Sequence, residues 1–189
     1  MDTGGVPFVN LKCMMRGGGF ARTGLKRYTG KHTVEQRVSA GDIVLAVTDL
    51  TQGREILARA TLVPRLSESF GVISLDVARI VPHNIDDRLS LFFTLRCSDF
   101  SDRVKEFANG STVLHLSPTH ISDGLLVWPS KYLRRHFVEL VEPMVGQTLD
   151  LSDAVDKLAS IRDLLLPKLV SGQIDVAQLD LDAVTGSVA

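Results

Sequence analysis

Two hydrophobic periods divide this chain. Up to about residue 128 the apolar positions fall in short β-branched or alternating runs: PFVNL (7–11), DIVLAV (42–47), ILARATLV (56–63), GVISLDV (71–77), STVLHL (111–116) and LLVW (125–128). A period of two predicts strands, with turns at Gly41-Asp42, Gly53 and Pro64. Two short helices are expected among them. LSLFFTLR begins after Asp86 or Asp87 as cap, and 98–108 places Phe100, Val104 and Phe107 at helical spacing before Asn109-Gly110 ends it. Ser117-Pro118 reads as a cap followed by a first-turn proline.

After Pro129 the period becomes helical. Ser130 caps a segment reaching about residue 145, Gly146 interrupts it, and a second helix runs from Asp150 or Ser152 to Val170. Leu151, Val155, Leu158, Leu165 and Leu169 follow alternating steps of four and three, and Arg162 fills the one polar slot. That is heptad spacing. Ile161 and Leu164 widen the stripe, so the helix needs cover on more than one side. Pro167 cannot donate to the carbonyl of Asp163 and its ring crowds that turn, so the helix kinks or ends about there, with Gly172 as its C-terminal cap. The fold class expected is α+β. A mixed α/β domain of short twisted strands and small helices (1–130) precedes a long C-terminal helix of coiled-coil type (131–176) and an acidic tail (177–189).

Composition adds one asymmetry. The 189 residues carry a net charge of −1, but 1–40 balance at +5, 41–136 at zero and 137–189 at −6. A basic head and an acidic end suit a polyanion at one place and a protein at another, unless the charges merely scatter over solvated faces. No transmembrane run and no signal peptide are visible, and a soluble cytoplasmic protein is expected. Cys13 and Cys97 are too far apart for a CxxC motif and read as plain thiols.

Arg16-Gly17-Gly18-Gly19-Phe20 has the glycines of an anion loop, yet neither GK[ST] nor G-x-G-x-x-G is completed. With Arg16, Arg22, Lys26 and Arg27 beside it, the loop suits a nucleic-acid backbone or base edge better than a nucleotide, and otherwise is a hairpin tip with solvated cations. The five histidines form no HExxH or H-x-x-x-H pair, and Asp86 and Asp87 point apart on a helix. No G-x-S-x-G elbow or methyl-donor motif is present, so no catalytic residue, metal or cofactor is assigned.

The run Leu158, Arg162-Asp163-Leu164-Leu165-Leu166-Pro167-Lys168-Leu169 and Ser171-Gly172-Gln173-Ile174-Asp175 resembles the conserved helical region of type I restriction-modification specificity subunits. IDDRLSLFFTL to LLVWP (85–129) is similar to the second half of that family's target recognition domain, and PFVNLKCM, GGGF and AGDIVLAVT to its opening strands. Together these blocks cover most of the chain.

The resemblance implies a DNA-reading module without catalysis of its own. In the family two recognition domains, separated by two antiparallel helices, each read half of a bipartite site, while separate subunits methylate adenine and cleave. One domain and one helical region stand here, so a half-length subunit, a truncated gene product or an excised fragment is expected, reading a half-site. Its expected partners are double-stranded DNA, an adenine methyltransferase (modification) subunit, a restriction subunit through the complex, and a second copy through the C-terminal helix. Lys12, Arg16, Arg22, Lys26, Arg27 and Lys31 would hold phosphates or guanine edges, with Ser111 and Thr112 joining them. Leu151, Val155, Leu158, Ile161, Arg162, Leu165 and Leu169 would form the helix interface, each buried leucine contributing about 1.5 to 3 kcal/mol. Three alternatives stand beside this reading: the leucines close an intrachain core, the chain is a structural scaffold that docks a methyltransferase subunit without reading DNA, or it is a small hydrolase or nuclease.

Overall fold

The computed structural model describes residues 4–51 and 53–174, so Asp175, Val176 and the expected acidic tail lie outside the described residues. The chain forms two compact units, Met1–Val145 and Gly146–Ala189. Sheets and helices are both present and a long helix closes the described chain, an α+β architecture.

The first unit is built on short strands. β1 (Val6–Val9), β2 (Lys26–Tyr28), β3 (Arg37–Val38) and β7 (Gly71–Ile73) form a sheet in the order β2-β1-β7-β3, parallel between β1 and β7 and otherwise antiparallel. β4 (Ile43–Ala46), β6 (Ala60–Leu62) and β8 (Val77–Ile80) form an antiparallel sheet in the order β6-β4-β8, and β5 (Thr48–Asp49) pairs with β9 (Leu114–His115). The helices of this unit are α1 (Arg88–Cys97), α2 (Phe100–Val104), α3 (Pro118–Ser122) and the start of α4 (Lys131–Val170).

β4 is buried along its whole length, and its period of two feeds two separate cores. Ile43 and Leu45 pack with Phe92 and Leu95 of α1 and Phe100 of α2. Val44 and Ala46 pack with Val9, Cys13, Met14 and Ile73. One strand thus joins the helical layer to the layer carrying the glycine-rich loop.

Several elements differ from the pattern-based expectation. GVISLDV is two strands, because the Ser74 hydroxyl accepts from the Asp76 amide at 3.2 Å and turns the chain from one sheet into the other. In 56–63 only Ala60–Leu62 is a strand, since Ala58 takes a left-handed φ of 55°. LLVW is no strand: Leu126 faces the core and Leu125 and Val127 face solvent, as alternation demands, but no strand among the described residues pairs with it. Asp87 makes no side-chain cap for α1, and Asn84 instead accepts from the Asp86 amide in the turn before it. Helix 98–108 is α2 followed by a 3-10 turn at Lys105–Phe107. Ser117 and Pro118 start α3 as expected.

The interruption expected at Gly146 is absent. α4 is one helix of 40 residues, running through Pro143, Gly146 and Pro167. A mid-helix glycine costs about 1 kcal/mol, less than breaking the ladder on both sides of it. Ser130 caps the start, its hydroxyl accepting from the Leu133 amide at 3.4 Å. At the other end Gly172 takes φ 70°, the Gln173 amide donates to the Lys168 carbonyl at 2.9 Å and the Gly172 amide to Leu169 at 3.2 Å, a Schellman cap. The helix therefore passes Pro167 by one turn and stops at the Ser-Gly pair.

Candidate nucleic-acid interface

The basic segment is organised by backbone bonds across a short hairpin. The Ala21 amide donates to Cys13 at 2.9 Å, Met15 to Gly19 at 3.1 Å and Gly18 to Met15 at 3.0 Å, which closes residues 15–19 into a tight tip. Gly17, Gly18 and Gly19 all have positive φ, at 73°, 92° and 116°, so the tip requires glycine for its backbone. Asn10 binds the arms together, its side-chain amide donating to the Gly24 carbonyl at 3.1 Å. Met14 and Phe20 anchor the hairpin on the second core.

Lys12 lies exposed in the 3-10 turn Leu11–Cys13, and Arg16 at the start of the tip. Arg16 reaches Glu55 at 2.9 Å, a solvent-exposed pair. Arg22 donates to the Arg65 carbonyl at 2.9 Å. Lys26 and Arg27 sit on β2, the edge strand opposite Phe8 and Pro7 of β1, and Arg27 pairs with Glu68. The Glu68 carboxyl is held below its ordinary value first by the Ser67 hydroxyl and then by Arg27. Lys31 is exposed, its carbonyl accepting from the Tyr28 hydroxyl at 2.9 Å. Among the described residues Lys12, Lys26 and Lys31 face no carboxylate. Hairpin and edge strand thus gather Lys12, Arg16, Arg22, Lys26 and Arg27 along one continuous structural segment. Ser111 and Thr112 stand exposed in the turn closed by the Asn109–His115 backbone pair.

Among the described residues of the second unit the heptad positions are exposed. Leu158 is 65% exposed, Leu151 and Val155 similarly so, and Ile161, Leu165 and Leu169 remain at least 39% exposed. Among the described residues α4 has no buried side chain. Arg162 turns aside to Asp163 at 2.7 Å.

Two arginines that carried no distinguishing sequence signal hold structural positions in the first unit. Arg134 of α4 clasps Asp87 with bonds of 2.7 and 3.1 Å and lies 4.7 Å from the Trp128 ring centroid. That clasp draws the Asp87 carboxyl below its ordinary value. Arg96, in the last turn of α1, lies against Gly18 of the glycine tip. Cys13 is buried, with its thiol pushed up by desolvation, and both cysteines are free. Among the described residues no three metal-ligating side chains converge, and no helix is long and apolar enough to cross a membrane.

No family model matches the chain. Half of the chain resembles a restriction specificity subunit. The similarity is 31% identity over 96 residues, 50% of this chain, to the HindI type I restriction enzyme specificity subunit of Haemophilus influenzae. The matched stretch is 21% of that subunit, so this chain spans about a fifth of the relative's length.

Proposed function

We propose that this chain is a non-catalytic DNA-reading specificity module of a type I restriction-modification system. The observation that carries the reading is the 31% identity to the HindI specificity subunit over half the chain. The arrangement of the molecule supports it. Cations line a cross-braced glycine hairpin and the adjoining edge strand, where phosphate oxygens have access, and the long helix carries an apolar stripe that is exposed among the described residues.

In this reading the first unit reads a half-site through Lys12, Arg16, Arg22, Lys26, Arg27 and Lys31, with Ser111 and Thr112 at a further contact. The leucine stripe of α4 pairs with that of a second copy or of an adjoining segment, and the helical region docks an adenine methyltransferase subunit and, through the complex, a restriction subunit. Paired about a two-fold axis, two copies read an inverted repeat with a fixed spacer.

The scaffold reading, docking without DNA contact, is favoured by one observation. Arg16 and Arg27 already face Glu55 and Glu68, which lowers the positive charge free for phosphates. Anisotropy titrations of a labelled duplex against salt, with and without the modification subunit, separate the two. Neutralising about four phosphates makes log affinity fall with log salt at a slope of roughly −3.6. A flat titration with intact capture of the modification subunit means a scaffold. Selection from a random duplex pool then defines the site read.

A further inference from the structure

Several arginines of the first unit have a carboxylate partner. Arg54 meets Glu106 at 3.1 Å, Arg59 meets Asp102 at 3.0 Å and Arg103 meets Asp99 at 3.1 Å. Arg96 differs. The residue is partly buried, its guanidinium carbon 6.0 Å from the Phe92 ring centroid, and among the described residues no carboxylate pairs with it. A cation partly withdrawn from water without a counterion is electrostatically under-compensated, and a phosphate oxygen would supply what is missing.

The glycine tip leaves room for such a group. A Cβ built on Gly18 would run into the Arg96 guanidinium, whose Cζ is 3.2 Å away, so the absence of a side chain there keeps Arg96 against the loop. Gly17 has no atom within 4 Å of its would-be Cβ and opens to solvent beside it. Arg16 stands at the head of the same tip.

The geometry points to Arg96 as a backbone-phosphate contact for duplex DNA, reached across the glycine tip. This rests on the DNA-reading function proposed above and adds a contact from a helix remote in sequence from the basic segment.

The test uses the full chain and a fluorescein-labelled duplex of mixed sequence. Arg96→Gln is expected to weaken binding about tenfold at moderate salt. It should also reduce the magnitude of the log–log salt slope by about 0.9, while Arg96→Lys retains the slope. Phenylglyoxal labelling of the wild-type chain, read by mass spectrometry, needs no variant to fold: duplex should slow modification of Arg96. Wild-type affinity and slope in Arg96→Gln, or labelling of Arg96 unchanged by duplex, overturns the inference alone. A lowered melting temperature with an unchanged slope does the same, by assigning Arg96 to packing. A wild-type chain that binds no duplex overturns the DNA-reading proposal together with it.

Discussion

Arg134 closes on Asp87 as a fork, Nε donating to Oδ1 at 2.7 Å and Nη2 to Oδ2 at 3.1 Å, while its Nη1 donates to the Pro129 carbonyl at 2.6 Å. Trp128 covers the guanidinium, and Phe137, one turn on, meets Phe93 of α1 edge-on at 5.3 Å. The first turns of α4 are therefore pinned to the turn before α1 by a planar, directional contact that lysine would not reproduce.

Replacing Asp87 with Asn should remove about 2 kcal/mol at neutral pH, a fall in melting temperature of about 4 to 8 °C for a chain of this size. The sign of the pH dependence follows from the lowered Asp87 value. Because the folded carboxyl titrates below its ordinary 3.8, the pair's contribution is complete above that value and is lost as pH falls through the lower folded one. Thermal melts from neutral pH down to about 3 should show wild type and Asp87→Asn converging only at the acid end. A gap that is constant with pH would assign the loss to something other than this ion pair.

In the proposed reading the apolar stripe of α4, exposed among the described residues, associates with a second copy or a partner helix. Glu at both Leu158 and Leu165 should convert an associating chain to a monomer in sedimentation velocity, leaving the first unit's melting temperature unchanged, since both side chains are exposed in the single chain. Identical sedimentation of the double variant and the wild type would remove this role from the stripe.

Glu55 occupies Arg16 at 2.9 Å. An exposed pair of this kind contributes about 0.2 to 1 kcal/mol, so Glu55→Gln should tighten duplex binding by up to about fivefold at low salt, with the gain shrinking as salt rises. Unchanged or weaker binding in an anisotropy titration would mean that Arg16 does not meet DNA.

Gly146 sits inside α4 with no atom near its would-be Cβ. Gly146→Ala should stabilise the helix by about 0.5 to 1 kcal/mol, seen as a higher midpoint in far-ultraviolet circular dichroism melts. A loss of helical signal would show that glycine is needed there for a bend.

Amino-acid order alone determined a good deal of this molecule. Period two located β1, β4 and β7, and period 3.6 located α1 and the apolar stripe from Leu151 to Leu169, because both periods are set by local backbone geometry. Ser130, Ser117-Pro118 and Gly172 marked helix ends through capping chemistry that acts within a few residues. Tertiary structure decided what local rules leave open. LLVW alternates like a strand but has no strand among the described residues to pair with, whereas Thr48–Asp49 became a strand because β9 was beside it. Gly146 stayed helical because keeping the ladder outweighs a single poor propensity. Asp87, readable as a cap, was claimed by Arg134 across 47 positions, and Arg96 met Gly18 across an even longer stretch of chain. Such meetings are made by the tertiary fold between residues far apart in the chain, and no period along the sequence records them.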